Sequence, residues 1–226
     1  MAPDFLVTGT DTGVGKTVIA AALLLALRQQ GVRAIGFKPA ETGVEPGGEA
    51  DAEILAAASG VAHAAALPLL RLAEPLAPAV AAERAGLAAF DPAALEVRVR
   101  TLRDAGYRVV LEGAGGVLVP LAWGCTVRDL ARDLGLRAIV VARAGLGTLN
   151  HCCLTVEALR AAAVPIRGIV LNGAGDALAD RTNPEALRRL LPDVPVVVVP
   201  RYPDTSPLAC AQRAVPLVQH LLQVAL

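Results

Sequence analysis

Gly9-Thr10-Asp11-Thr12-Gly13-Val14-Gly15-Lys16-Thr17 decides how the rest of this chain is read. Before it, Phe5-Leu6-Val7-Thr8 is short, apolar and partly β-branched, the pattern of a strand. After it, Val18 to Leu27 is rich in Ala and Leu and favours a helix. A glycine-bearing loop that joins a strand to a helix and ends in Gly-Lys-Thr is built for phosphate. Glycines let the backbone curl until several N–H groups point inward. The helix N-terminus adds partial positive charge, the lysine reaches the outer phosphates, and the threonine hydroxyl can ligate Mg²⁺. The common form, G-x-x-x-x-G-K-T, would put glycine at position 10. Thr10 stands there and the first glycine is Gly9, so the loop is a variant one residue longer.

Working outward, the first helix ends near Gln29-Gln30-Gly31, with Gly31 as C-cap, and Val32 to Phe37 reads as a strand ended by Lys38-Pro39. Gly43 to Gly48 is a loop with Glu45-Pro46-Gly47-Gly48 at its turn, and Ala50 to Ala58 is a helix stopped by Ser59-Gly60. Pro68, Pro75 and Pro78 divide Ala64 to Ala82 into an extended piece and a short helix on the surface. Asp91-Pro92 opens a helix to Ala105 by the cap-then-proline rule. Tyr107 to Glu112 is a buried strand ending in Gly113-Ala114-Gly115-Gly116, and Val117 to Leu121 extends it or pairs alongside. Thr126 to Leu134 is a helix, Ala138 to Ala142 a strand, Thr148 to Ala162 a helix, and Ile166 to Leu171 a strand ending at Asn172. Asn183-Pro184 opens a helix to Leu191, Val194 to Val199 is a strand, and Val215 to Leu226 closes the chain as a helix. Strands alternate with helices, and most strands are continuous apolar runs. The expected fold is therefore α/β: a doubly wound, mostly parallel sheet with helices on both faces, of P-loop NTPase type. No repeat or long linker divides it, so residues 1–226 read as one domain.

Composition narrows the function. The chain is 54% hydrophobic, ample for a core, and Lys+Arg and Asp+Glu both number 21. A neutral chain without blocks of like charge argues against binding nucleic acid. The N-terminus Met-Ala-Pro-Asp-Phe lacks a basic region and cleavage site, and no window reaches the ~18 apolar residues of a membrane span, so a cytoplasmic protein is expected. Cys125, Cys152, Cys153 and Cys210 form no C-x-x-C pair and read as reduced, buried thiols.

In parallel sheets ligands sit at the carboxyl ends of the strands. Those ends carry the phosphate loop, then Lys38, Glu41 and Thr42, then Glu112 and its glycines, then Ala144 to Asn150, then Asn172-Gly173. Lys38 fits a solvated lysine at a strand end, or a group beside the phosphate loop if the first two strands share that edge of the site. Asp51 fits the N-terminal charge of a helix. Glu112 follows a buried apolar run and needs a partner; Mg²⁺ is one that also explains Thr17. Gly145-Leu146-Gly147 lacks the third glycine of a dinucleotide fingerprint, since Asn150 stands in its place, but a helix N-terminus there could hold a carboxylate or phosphate. His63, His151 and His220 have no metal-ligand spacing, and His151 reads as a helix residue without chemistry.

Taken together these pieces resemble the dethiobiotin synthetase family. The resemblance rests on Val7 to Thr17, Gly36-Phe37-Lys38-Pro39 with Thr42-Gly43, Asp51-Ala52, Val110 to Gly116, Gly145-Leu146-Gly147 with Asn150-His151, and Asn172. These occur in the family's order and spacing over most of the chain, and the lengthened phosphate loop is the family's usual form. The resemblance implies a homodimeric enzyme that converts 7,8-diaminononanoate, CO₂ and MgATP to dethiobiotin, ADP and phosphate. It proceeds through a carbamate and a mixed carbamic–phosphoric anhydride.

The resemblance also implies roles. Lys16, Lys38 and Thr12 are catalytic, Lys16 on the β- and γ-phosphates and Lys38 on the carbamate and the transferring phosphoryl. Gly13, Val14, Gly15, Lys16, Thr17 and Val18 bind nucleotide, with Glu112, Gly113, Ala114 and Gly115, and Asn172 reads the adenine edge. Thr17, Asp51 and Glu112 are metal ligands, and Thr10 and Thr12 stand where phosphate or substrate is touched. Thr42 contacts the substrate, whose carboxylate meets the N–H groups of Gly147, Thr148, Leu149 and Asn150 across the dimer interface. The chain departs from the family at Gly13, where some members have glutamate, and over Gly173 to Arg181, which lacks the tyrosine some members place there. Arg201 and Tyr202 lie near the nucleotide only by position. Two rivals share the loop class. Cobyrinic acid amide synthases carry a further glutaminase-like domain, for which this chain is too short. Partitioning or site-placement ATPases bear a second lysine early in the loop, and Gly9 to Thr12 has none.

Overall fold

The computed structural model describes residues 4–44, 50–62, 68–202 and 206–223. β1 (Phe5–Gly9) leads through the phosphate loop into α1 (Lys16–Gln29), and β2 (Ala34–Phe37) and β3 (Ala40–Thr42) follow. Next come α2 (Asp51–Ser59), β4 (Leu70–Leu72), α3 (Pro78–Arg84) and α4 (Pro92–Asp104). β5 (Arg108–Gly116) runs into a hairpin of β6 (Pro120–Ala122) and β7 (Cys125–Thr126), then α5 (Val127–Asp133). β8 (Arg137–Arg143), α6 (Thr148–Ala161), β9 (Ile166–Ala174), α7 (Leu178–Leu190), β10 (Val196–Pro200) and α8 (Pro207–Gln223) complete the order.

Six strands form one parallel sheet in the order β10-β9-β8-β1-β5-β2. Alternation along each strand sends neighbouring side chains to opposite faces. Phe5, Val7, Val110, Ile139 and Val170 pack with α1, α2 and α8 on one face. Leu6, Val109, Leu111, Val140 and Leu171 pack with α4, α5, α6 and α7 on the other. The sheet is thus covered twice, which is why its strands read as unbroken apolar runs. No helix among the described residues is long and apolar enough to cross a membrane. None of the cysteines forms a disulfide; only Cys152 is fully buried, so the expectation of four buried thiols holds there alone.

Several boundaries depart from the sequence reading. β5 lies between β1 and β2, so the first two strands do not share an edge. β5 does not end at Glu112 but runs on through the glycines, where Gly9 pairs with Gly116 past an irregularity in register. β9 likewise continues through Asn172 to Ala174. The helix expected to open at Asn183-Pro184 begins at Leu178, with Pro184 inside it. The Asp180 carboxylate accepts the Gly175 N–H at 2.8 Å and anchors the turn before that helix. The Asn183 amide faces inward, donating to the Ala144 and Gly145 carbonyls at 2.8 and 3.0 Å. The last helix begins at Pro207 rather than Val215, because its apolar stripe (Ala211, Ala214, Val215, Val218, Leu221) runs straight past Pro216. β3 and β4 form a small parallel sheet of their own, unforeseen from the sequence. The turn at Glu45 to Gly48, the start of the stretch from Ala64, His63, Pro203 and the last three residues lie outside the described residues.

Candidate active site

The phosphate loop sits at the carboxyl end of the central strand. Its first glycine has a packing reason: a Cβ on Gly9 would lie 2.6 Å from the Asp11 carbonyl oxygen and 3.0 Å from that of Gly115. Glycine is needed where the loop leaves the sheet. At the other end Gly15 has φ +92°, and a Cβ there would lie 2.0 Å from the Asn172 amide nitrogen. No side chain caps the first N–H groups of α1, as a phosphate site requires. Lys16 is buried and its Nζ donates to the Asp11 carbonyl at 3.2 Å, folding back over the loop.

A cleft of about 760 Å³ opens beside this loop. It is lined by Thr12, Gly13, Gly15, Lys16, Thr17 and Val18, by Lys38 and Thr42 after β2, by Asp51 of α2, and by Glu112, Ala114 and Gly115 of β5. The sheet's pleat explains the convergence. Glu112 lies two residues beyond Val110, so it faces α1 and α2 rather than the opposite layer. Lys38 reaches the same space from across β5, which answers the doubt about its place. The Thr17 hydroxyl lies 2.7 Å from Asp51 Oδ1 and 3.0 Å from Glu112 Oε1. One hydroxyl proton serves one carboxylate at a time. Lys38 Nζ pairs with Asp51 Oδ2 and stands 3.5 Å from Glu112 Oε1.

Electrostatics separate these groups. Burial pushes the Glu112 carboxyl up to about 7, although Lys38 opposes it. Burial also acts on Asp51, but the Lys38 charge and hydrogen bond, with the Thr17 hydrogen bond, prevail and hold it below its usual value. Burial pulls the Lys16 ammonium below the ordinary lysine value, only partly offset by Glu112. For Lys38, burial is outweighed by Glu112 and Asp51, and the ammonium is held well above that value. The two lysines are therefore tuned in opposite directions within one cleft.

The oxygens of Thr17, Asp51 and Glu112 fit a hard divalent cation. The donor set is a hydroxyl and two carboxylates, and Glu112 Oε2 is buried without a hydrogen-bond partner. No group of three or more His, Cys, Asp or Glu able to hold a metal occurs among the described residues, so phosphate oxygens and water would have to complete the shell.

Other expected site residues lie elsewhere. Val14 and Asn172 line a second hollow of about 340 Å³ with Arg143, Asp180 and Arg201. The Asn172 amide donates to the Val14 carbonyl at 3.0 Å, so half of it is already engaged by the loop. Gly113 is enclosed, and a Cβ there would meet Val127 at 2.7 Å. Gly147, Thr148, Leu149 and Asn150 begin α6 but line neither hollow of this chain; Leu146 beside them is 92% exposed. The sequence reading missed the cleft's apolar wall, formed by Ile54, Pro75, Leu76, Ala77, Pro78, Val119 and Pro207. The cluster of prolines was its only signal.

A family model described as an AAA domain matches residues 4–209. The ATP-dependent dethiobiotin synthetase BioD of Anaeromyxobacter sp. (strain K) is 48% identical over 203 residues, covering 88% of this chain and 91% of that protein. The protein of the same name from Rhodococcus jostii (strain RHA1) is 48% identical over 195 residues, covering 85% and 80%. Among solved structures, the septum site-determining protein MinD complexed with Mg-ADP from Pyrococcus horikoshii OT3 matches with a TM-score of 0.60 at 19% identity, covering 99% of this chain and 90% of that one. That likeness is one of fold, and it is all that favours the site-placement reading. With its lengthened phosphate loop, its second lysine at position 38 and these relatives matched nearly end to end, the chain belongs to the ATP-dependent dethiobiotin synthetase family.

Proposed function

We propose that the chain closes the cyclic urea of dethiobiotin from 7,8-diaminononanoate and CO₂, driven by ATP, as a homodimer in the cytoplasm. The observation that carries this reading is the meeting of Lys16 and Lys38 in one cleft with the Thr17, Asp51 and Glu112 oxygens. A nucleotide switch needs the first lysine. A second, partly exposed ammonium suits a reaction in which the nucleophile is itself an anion.

The chemistry sets the demands. One substrate amine adds to CO₂ and releases a proton, leaving a carbamate. A carbamate oxygen then attacks the γ-phosphorus as ADP leaves. The second amine attacks the resulting mixed anhydride at carbon, phosphate departs, and the ring closes with loss of a proton. Two anions must first be brought together, so the protein's task is neutralisation and alignment. The N–H groups of Gly13 to Lys16 cradle the phosphates, with Thr12 and Val18 at the rim, and Lys16 holds the β- and γ-oxygens. Lys38 binds the carbamate and the transferring phosphoryl. Thr17, Asp51 and Glu112 would hold Mg²⁺, which when bound neutralises charge between the phosphates. Gly113 to Gly115 back the nucleotide through β5. Thr42 contacts the substrate, whose alkyl chain suits the wall from Pro75 to Pro78. The free Oδ1 of Asn172 accepts from the adenine amino group. The N-terminus of α6, Gly147 to Asn150, would take the substrate carboxylate in the partner's cleft; the exposure of Leu146 supports a covered surface there.

Turnover of ATP with and without diaminononanoate and bicarbonate tests this. Cyclic urea formation that requires all three is the expected result. ATP hydrolysis undiminished without the other two would favour the switch instead.

A further inference from the structure

Glu41 is a carboxylate in a strand, yet only 1% exposed. It takes no part in the cleft, where its neighbour Thr42 lies. Its Oε1 accepts the Ala52 N–H at 2.8 Å. Its Oε2 accepts Nε and Nη2 of Arg71 at 3.0 and 2.8 Å, across the β3–β4 pair in which the two residues are in register. One of these contacts is to α2, the helix that carries Asp51; the other two are to β4, the partner strand of β3.

The Ala52 contact is the informative one. α2 has alanine at its N-cap, position 50, with no side chain able to accept from the first turn. The Glu53 carboxylate reaches back to the Ala50 N–H, but the outward N–H at Ala52 is left for a group from another strand, and Glu41 fills it. Asp51, the metal-ligand candidate, is the residue beside that N–H. Lys38, its ion-pair partner, is three residues before Glu41 on the segment that β3 continues. One buried carboxylate therefore ties the backbone under Asp51 to the backbone that follows Lys38, and Arg71 fixes that carboxylate from the far side.

We propose that Glu41, held by Arg71, is a positioning residue that sets Asp51 and Lys38 at the separation needed for the divalent cation and the carbamate. This rests on the reading of the cleft given above. A positioning role has its own signature. Nucleotide binding without metal depends on the phosphate loop, which Glu41 does not touch; metal-dependent binding depends on Asp51.

The test measures ADP binding by calorimetry in EDTA and across a Mg²⁺ titration, for the wild type, Glu41→Gln and Arg71→Met. Glu41→Gln keeps size but turns an amide N–H₂ toward a donor. Misplacing a ligand through its support typically weakens metal affinity ~10-fold or more. Both variants should raise the half-saturating Mg²⁺ concentration by about that factor, with ADP affinity in EDTA changed less than about twofold and the far-ultraviolet spectrum retained. A Mg²⁺ dependence unchanged in the folded variants, or an equal loss of ADP affinity in EDTA, would overturn the proposal. Should Glu41→Gln fail to fold, Arg71→Met decides, since its side chain is partly exposed. The outcome is separate from the identity of the reaction: a wild type that makes no cyclic urea, with variants that still show this shift relative to it, would refute the reaction and leave the positioning role standing.

Discussion

Among the described residues two hollows flank the phosphate loop at the carboxyl edge of the sheet. The larger, about 760 Å³, holds two lysines, two carboxylates and the Thr17 and Thr42 hydroxyls against an apolar wall. The smaller, about 340 Å³, holds Asn172, Arg143, Asp180 and Arg201, with Asp180 engaged by the Gly175 N–H and Arg143 paired with Asp11 of the loop. Gly13 borders both. In the smaller hollow Asp180 is tied to a turn and Arg143 to the loop, while among the described residues the Arg201 side chain has no such tie. In the larger, Glu112 is left with a buried, unpartnered oxygen and an acid constant moved by burial. On the function proposed above, the difference puts the chemistry on one side of the loop and recognition of the base on the other.

That division fixes the order of effects. Lys16→Ala should lower cyclic-urea turnover by at least ~10²-fold, because a preorganised charge on the transferring phosphoryl is lost. Steady-state turnover of a variant with an intact circular-dichroism spectrum is the check, and near-normal turnover would remove Lys16 from that role.

Glu112→Gln comes next. Losing a carboxylate ligand should raise the Mg²⁺ concentration for half-maximal turnover by ~10-fold or more while leaving the protein folded. Its pH signature has a definite sign. The carboxyl titrates near 7 when folded against a reference of 4.5. Between those values the folded form holds more protons than the unfolded one, so this group's contribution to stability declines as pH rises through that window. The thermal midpoint of the metal-free wild type, minus that of Glu112→Gln, should fall from pH 5 to pH 8. A difference that stays constant would break the assignment.

Thr42→Val should be milder. One net hydrogen bond is worth about 1 kcal/mol, so KM for diaminononanoate should rise about fivefold with KM for ATP unchanged. Initial rates with each substrate varied in turn separate the two constants. Asn172→Ala should be the smallest, because half of the amide serves the loop. A contribution near 0.5 kcal/mol corresponds to a roughly twofold rise in KM for ATP, with a narrower preference over GTP. A larger effect on diaminononanoate than on ATP would undo the division between the hollows.

Legibility from sequence followed sequence distance. The phosphate loop, the helix after it and the Asp91 cap, whose carboxylate accepts the Ala93 N–H at 2.9 Å, are local matters of glycine placement, capping and proline, and they stand as read. Local signals also misled. Asn183-Pro184 has the form of a helix start, but its asparagine is spent on the Ala144 and Gly145 carbonyls, a contact 38 to 39 residues away in the chain. Lys38, Asp51 and Glu112 were legible as a set only through the family resemblance, since each alone also suits a plain strand end, helix start or buried partner. Glu41 gave no signal of its role, because both of its partners are remote.

By itself the sequence determined the α/β alternation, the phosphate loop and the family. Those depend on neighbouring residues, where backbone freedom, propensity and the register of apolar side chains act within one turn or one strand. Only the tertiary structure decided that β5 separates β1 from β2, that the pleat turns Glu112 toward Thr17 and Asp51, and that Asn172 falls in a different hollow from Lys38. Strand order and the facing of a side chain are set by the packing of two helical layers on one sheet. No single stretch of chain holds that information, however clear its motif.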